Sequence, residues 1–151
     1  MTVNTFKNTA FILAGVGALW AGQTQAETFV DKVWVRSTPV GTGVTAGYAI
    51  IMNSSQESDR LVSISSPAAA KIELHQTKEQ DGVMTMSPVE ELVIAPGNQI
   101  ELKPGGYHLM IMNVKQQLKV GDTFPIVFKF TGQGIVNVNA KVAPLAATAS
   151  P

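Results

Sequence analysis

The sequence predicts an all-β fold, an antiparallel β-sandwich of about nine short strands. Short segments rich in apolar and β-branched residues recur at intervals of roughly ten residues, and Gly, Pro, Asn or Asp residues separate them. No segment of the predicted domain has a convincing helical period. The composition, 45% hydrophobic and 15% charged with balanced charge, is typical of a globular protein, and 151 residues predict one domain.

Residues 1–26 are predicted to be a secretory signal peptide that is cleaved after Ala26. Lys7 is the only charged residue before Glu27, and the apolar run from Ala10 to Gly22 spans 13 residues. Such a run is too short to cross a bilayer comfortably. The sequence therefore predicts export from the cytoplasm without stable membrane insertion. An uncleaved N-terminal anchor is the alternative.

The first strands are predicted from their composition. Thr28 to Arg36 is rich in β-branched and aromatic residues, and Gly47 to Met52 is apolar on both faces, as the core of a sandwich requires. Leu61 to Ser65 alternates between apolar and polar residues and stops before Pro67.

Ala70 to Thr77 is the next predicted strand, and it carries the first histidine. Its apolar residues alternate with polar ones, so His75 is predicted to stand on the polar face at the end of the strand. Gln80 to Gly82 forms a turn, and Met84 and Met86 in the segment that follows would share one face of a strand.

The remaining strands are separated by turn residues. Their predicted bounds are Leu92 to Ala95, Gln99 to Leu102, the segment that follows Gly106, Phe124 to Phe130, and Ile135 to Val142. The domain is thus expected to cover residues 27–143, and residues 144–151 are expected to form a flexible tail.

The strand after Gly106 concentrates potential metal ligands. His108, Met110 and Met112 alternate with apolar residues and therefore share one face. The chain has only two histidines, and four of its six methionines lie between Met84 and Met112. Together with His75, these residues predict a copper(I) site within residues 75–112.

The donor types favour copper over other metals. Ten residues separate His75 from Met86, 21 separate Met86 from His108, and one separates His108 from Met110. Two imidazoles and two thioethers form an uncharged set of soft and borderline donors, which suits Cu(I). Zinc normally adds thiolate or carboxylate, and calcium needs oxygen ligands. Each residue also has an ordinary structural explanation, as a surface histidine or as a methionine that fills the core.

The same residues resemble a known family, the periplasmic PCuAC-type copper chaperones, whose motif has the spacing of His75, Met86, His108 and Met110. The resemblance extends to Trp34-Val35-Arg36, Ala46-Gly47-Tyr48, Gly105-Gly106-Tyr107-His108-Leu109-Met110 and Lys119-Val120-Gly121-Asp122. It implies a cupredoxin-like Greek-key fold, a shallow Cu(I) site on the surface, and delivery of copper to cytochrome c oxidase.

Two features depart from some members of this family. Gln76 stands where some relatives have a methionine, and the C-terminal tail lacks the histidines and methionines that provide a second copper site in others. Met84 competes with Met86 as a ligand, although the spacing favours Met86. Met112 shares a face with Met110, but core packing is its expected role.

The sequence bears on several other functions. A blue-copper electron carrier would need a cysteine ligand, and the chain has no cysteine. A copper-sequestering or resistance protein and a metal-free β-sandwich binding module remain alternatives to the chaperone. Neither an enzyme nor a nucleic-acid-binding protein is expected, because the sequence contains no hydrolase elbow, phosphate-binding glycine loop, His-Glu-x-x-His motif or basic patch. The protein is expected to be a monomer.

Overall fold

Ten β-strands form the fold of residues 27–151, the part of the chain that the computed structural model describes. The strands are β1 (Thr28–Arg36), β2 (Val44–Asn53), β3 (Asp59–Ser65), β4 (Ala69–Gln80), β5 (Val83–Pro88), β6 (Leu92–Ile94), β7 (Gln99–Leu102), β8 (Tyr107–Val114), β9 (Thr123–Phe130) and β10 (Ile135–Ala143). The predicted signal peptide lies outside the described residues. Within those residues, no helix has the length and apolar character that a membrane span requires.

The all-β prediction of about nine strands is confirmed, since the described residues contain ten. The short segments β6 and β7 are both strands, because β6 pairs with β3 and β7 pairs with β2. β1 and β7 have their predicted bounds. β2 begins at Val44 rather than at Gly47, because Val44 to Ala46 pair with Met112 to Met110 of β8.

The strands follow the order β5-β4-β8-β2-β1-β10-β9-β3-β6, with β7 paired to β2 beside β8. All pairs are antiparallel except β1 with β10, where Trp34 lies opposite Lys141. The predicted antiparallel sandwich thus contains one parallel pair. A parallel pair cannot be joined by a tight turn, and here the rest of the domain connects the two strands. The strand order brings β3 and β4 to opposite walls of one groove, so the sheet closes over its apolar face.

The core lies on the inner face of this sheet. In β9, Phe124, Ile126 and Phe128 are buried and alternate with residues that are more exposed. In β8, Leu109 and Ile111 are fully buried by the same alternation. Burial of a side chain of this size contributes about 1.5–3 kcal/mol. The core therefore determines which residues of β8 face inward, and it leaves His108, Met110 and Met112 on the outer face.

The buried carboxylate of Asp59 connects several segments at the end of the fold where β1 and β3 begin. Asp59 is buried and accepts five hydrogen bonds of 2.7–3.2 Å. The donors are the hydroxyls of Thr28 and Thr131 and the backbone N–H groups of Arg60, Gly132 and Gln133. Burial raises the pKa of Asp59, but the hydrogen bonds from Thr28 and from the backbone outweigh it and hold the pKa below its usual range.

We expect Asp59→Asn to lower the free energy of unfolding by about 2–3 kcal/mol at neutral pH, because an amide cannot accept all of these bonds. The contribution of the carboxylate is present above the unfolded-state pKa of about 3.9 and disappears as the pH falls through the lower folded-state pKa. Urea unfolding of both proteins across this range measures the difference. Asp31→Asn, which changes an exposed carboxylate of β1, is the matched control. A difference between wild type and Asp59→Asn that persists unchanged at the lowest pH would contradict this explanation.

Candidate metal centre

The pairing of β4 with β8 brings the two histidines together. His75 lies directly opposite His108, and Glu73 lies directly opposite Met110. Directly opposite residues of an antiparallel pair point to the same face. Both imidazoles are therefore on the outer face, with ring centroids 6.0 Å apart. His108 is 7% exposed and the side chain of His75 is 12% exposed, so the pair is largely shielded from water.

The hairpin of β4 and β5 adds the methionine of the edge strand. Met86 lies opposite Thr77, one diagonal step from His75, and thus shares the outer face. The hairpin turn consists of Asp81 and Gly82, whose φ angles of 54° and 76° are typical of a two-residue turn of type I′. This turn determines the β4–β5 register, and a shift of one residue would send Met86 to the opposite face.

The structure thus brings the four predicted ligands to one face of three adjacent strands. Met86 is on β5, His75 on β4, and His108 and Met110 on β8. Among the described residues, no group of three or more His, Cys, Asp or Glu side chains is arranged to hold a metal ion.

In each imidazole, one nitrogen makes a hydrogen bond and the other makes none. Nδ1 of His108 lies 3.1 Å from the carbonyl oxygen of Gly106, which can only accept, so the proton is on Nδ1 and the lone pair is on Nε2. Nε2 of His75 lies 2.9 Å from a carboxylate oxygen of Glu73 and donates to it. Nδ1 of His75 is buried and has no hydrogen-bond partner. An unpaired buried lone pair is costly unless a ligand uses it, and neutral imidazole with its other nitrogen hydrogen-bonded is the form that binds metals.

Glu73 orients His75 and was not singled out from the sequence. Its carboxylate contacts the ammonium of Lys71 on one side and His75 on the other. The hydrogen bond from Lys71, followed by that from His75, holds the pKa of Glu73 below its usual range. The only available signal was the spacing of two residues between Glu73 and His75, which places both on the same face of a strand.

An aromatic cluster closes the outer face beyond β8. The rings of Trp34 and Tyr48 are 4.4 Å apart, and the guanidinium of Arg36 lies over Tyr48. Ala46, two residues before Tyr48, pairs with Met110. Arg36 also donates to the carbonyl oxygen of Ala147, so the C-terminal segment packs on this cluster. The Trp34-Val35-Arg36 and Ala46-Gly47-Tyr48 segments thus have a structural role, because side chains from both segments form this cluster.

We expect the two histidines to adopt opposite neutral tautomers, with the proton on Nε2 of His75 and on Nδ1 of His108, because each donates to an oxygen that can only accept. ¹⁵N NMR of the imidazoles above about pH 8 distinguishes the tautomers. In Glu73→Leu, His75 should lose its preference for the Nε2-protonated tautomer, while His108 should keep the Nδ1-protonated one. In Glu73→Gln, both histidines should keep their tautomers. A Nδ1-protonated His75 in the unaltered protein would contradict the assigned hydrogen bond.

Comparison with known proteins identifies the family. Residues 29–142 match the family described as "Putative lipoprotein LpqE-like". An uncharacterized protein of Rickettsia prowazekii, RP573, is 38% identical over 123 residues, which cover 79% of this chain and 68% of that protein. The "Putative lipoprotein Lxx21020" of Leifsonia xyli subsp. xyli is 31% identical over 103 residues, 68% of this chain. The match spans 61% of the Leifsonia protein, less than two thirds of its length.

Solved structures identify the fold. The apo PCuAC domain of PmoF2 superposes with a TM-score of 0.69 at 20% identity, covering 81% of this chain and 94% of that domain. The Cu(I) form of DR1885 from Deinococcus radiodurans gives a TM-score of 0.60 at 29% identity, covering 84% of this chain and 85% of that protein. The predicted fold class and family resemblance are confirmed: the chain belongs to the LpqE-like family and has the β-sandwich fold of PCuAC domains.

Proposed function

We propose that this protein is an extracytoplasmic carrier that binds one Cu(I) ion through His75, Met86, His108 and Met110 and passes it to a partner protein. The observation that carries the proposal is the shared outer face of these four donors, on which the buried Nδ1 of His75 has no other partner. The likeness to DR1885, whose solved form contains Cu(I), supports the choice of metal. The predicted signal peptide and the relative named as a lipoprotein support a location outside the cytoplasm.

The chemistry of the donors suits transfer. An uncharged set of two imidazoles and two thioethers stabilises Cu(I) without thiolates, which would bind it more tightly and hinder release. Both imidazoles must be neutral to bind, so affinity should fall on acidification. An acceptor that offers cysteine thiolates can displace the thioethers one at a time, and Met86, on the exposed edge strand, is the ligand that such an acceptor can reach first.

The acceptor we propose is a copper domain of cytochrome c oxidase, in the periplasm. This assignment follows from the family resemblance and from the need for a site that binds Cu(I) more strongly than the carrier does. Sequestration of copper without an acceptor would use the same ligands, so transfer is the property that distinguishes the two functions.

Anaerobic titration of the mature domain should give one Cu(I) per chain, and X-ray absorption should detect two nitrogen and two sulfur neighbours. Met86→Leu and Met110→Leu should each weaken Cu(I) binding about tenfold or more, equivalent to about 1.4 kcal/mol, because each removes one thioether. Met84→Leu is the matched control, since Met84 is on the same strand and face and is equally exposed. Unchanged affinity in a Met86→Leu, Met110→Leu double variant would overturn the ligand set.

Mixing the Cu(I)-loaded protein with the apo copper domain of an oxidase should move the metal to that domain, because its thiolates bind Cu(I) more strongly. Native mass spectrometry of the separated proteins measures the distribution. A variant domain whose cysteines are replaced by serine should leave copper on the carrier. Retention of copper beside the intact acceptor domain would contradict the delivery function.

A further inference from the structure

The two proposed thioether ligands are not equally protected, and the inference drawn from this rests on the proposed function. Met110 is on β8, which lies between β4 and β2, and its side chain is partly buried. Met86 is on β5, the edge strand of the sheet, and is 56% exposed. A small oxidant in solution can therefore reach the sulfur of Met86 much more readily than that of Met110.

We propose that Met86 is a site of reversible oxidation that controls copper loading. In the reaction with hydrogen peroxide, a lone pair of the thioether sulfur attacks one peroxide oxygen and the O–O bond breaks. A sulfur–oxygen bond forms, and the departing hydroxide takes up the remaining proton to give water. Sulfur loses two electrons and the peroxide gains two, so the products are methionine sulfoxide and one water molecule.

Oxidation of Met86 removes one donor without disturbing the fold. The sulfoxide is polar, and its oxygen is a hard donor that Cu(I) does not favour. Met86 points away from the core, and every residue of β5 is exposed, so the added oxygen can remain in water. The oxidised protein should therefore stay folded and keep His75, His108 and Met110, but hold Cu(I) weakly. Methionine sulfoxide reductases reverse the change.

Met84 provides an internal control for this proposal. It lies two residues before Met86 on the same face and is 57% exposed, so its intrinsic reactivity should be similar. Its partner across the strand pair is Glu79, which lies farther along β4 from His75 than Thr77 does. Oxidation of Met84 should therefore leave copper binding unchanged.

The experiment treats the apo domain with limiting hydrogen peroxide, removes the peroxide, maps each sulfoxide by peptide mass spectrometry and titrates Cu(I) anaerobically. Met84 and Met86 should oxidise at similar rates, at least about fivefold faster than Met110. In Met84→Leu, oxidation should weaken Cu(I) binding about tenfold or more, and treatment with MsrA and MsrB should restore it. In Met86→Leu, where binding is already weak, the same dose should cause no further loss.

Loading with Ag(I), a monovalent soft ion that does not itself reduce peroxide, should slow the oxidation of Met86 in chloride-free buffer and leave that of Met84 unchanged. Oxidation of Met110 as fast as Met86 would overturn the proposal. Normal Cu(I) binding by protein oxidised at Met86, together with weak binding by Met86→Leu, would also overturn the proposal. The proposed function would survive that result. Normal binding by Met86→Leu itself would instead show that the ligand set is wrong, and the inference would fail with it.

Discussion

The register of β4 against β8 is the constraint on which the candidate site depends. On the inner face, Ile72 lies opposite Ile111 and Leu74 lies opposite Leu109, and all four side chains are buried. A slip of one residue would turn these side chains toward water and bring the polar residues of β4 into the core, at a cost of several kcal/mol. The same register puts His75 opposite His108. Core packing on one face thus holds the two imidazoles together on the other, before any metal binds.

The surroundings of the site differ on its two sides. Toward β2 and β1, the adjacent, tilted rings of Trp34 and Tyr48 and the Arg36 guanidinium form a wall that the C-terminal segment covers. Toward β5, the sheet ends in a strand that is exposed along its whole length. Of the four proposed ligands, His75, His108 and Met110 are therefore on inner strands of the sheet, and Met86 is on the accessible edge strand. This arrangement suits the proposed carrier function, which requires both firm binding of the ion and a route for its exchange.

Much of the fold and of the candidate site could be predicted from the sequence, because it depends on the alternation of side chains along single strands. The two-residue period predicted that His108 and Met110 share a face, and that His75 stands opposite the apolar residues of its strand. The Asp81-Gly82 turn was evident from residue type. The neighbours of each strand were not predictable, because pairings such as β4 with β8 and the parallel β1 with β10 join segments far apart in the chain and depend on the packing of the whole core. The hydrogen bond of Glu73 to His75 and the unpaired Nδ1 likewise require the three-dimensional arrangement, while the roles of the four proposed ligands stay predictions.

The parallel pairing of β1 with β10 also gives the domain a direction. Both strands end at the level of the site. Trp34 to Arg36 pair with Lys141 to Ala143 of β10. Trp34 and Val35 also pair with Tyr48 and Gly47 of β2, and Gly47 pairs with Leu109, the residue after His108 in β8. β1 starts at Thr28, about 20 Å from that level at the usual rise of an extended strand. The start of β1 consequently lies at the pole of the domain away from the histidines. A tether attached at that pole would leave the two histidines facing outward, whereas the C-terminal Ser150 and Pro151 lie beside Val30 to Lys32, partway between the two ends of β1.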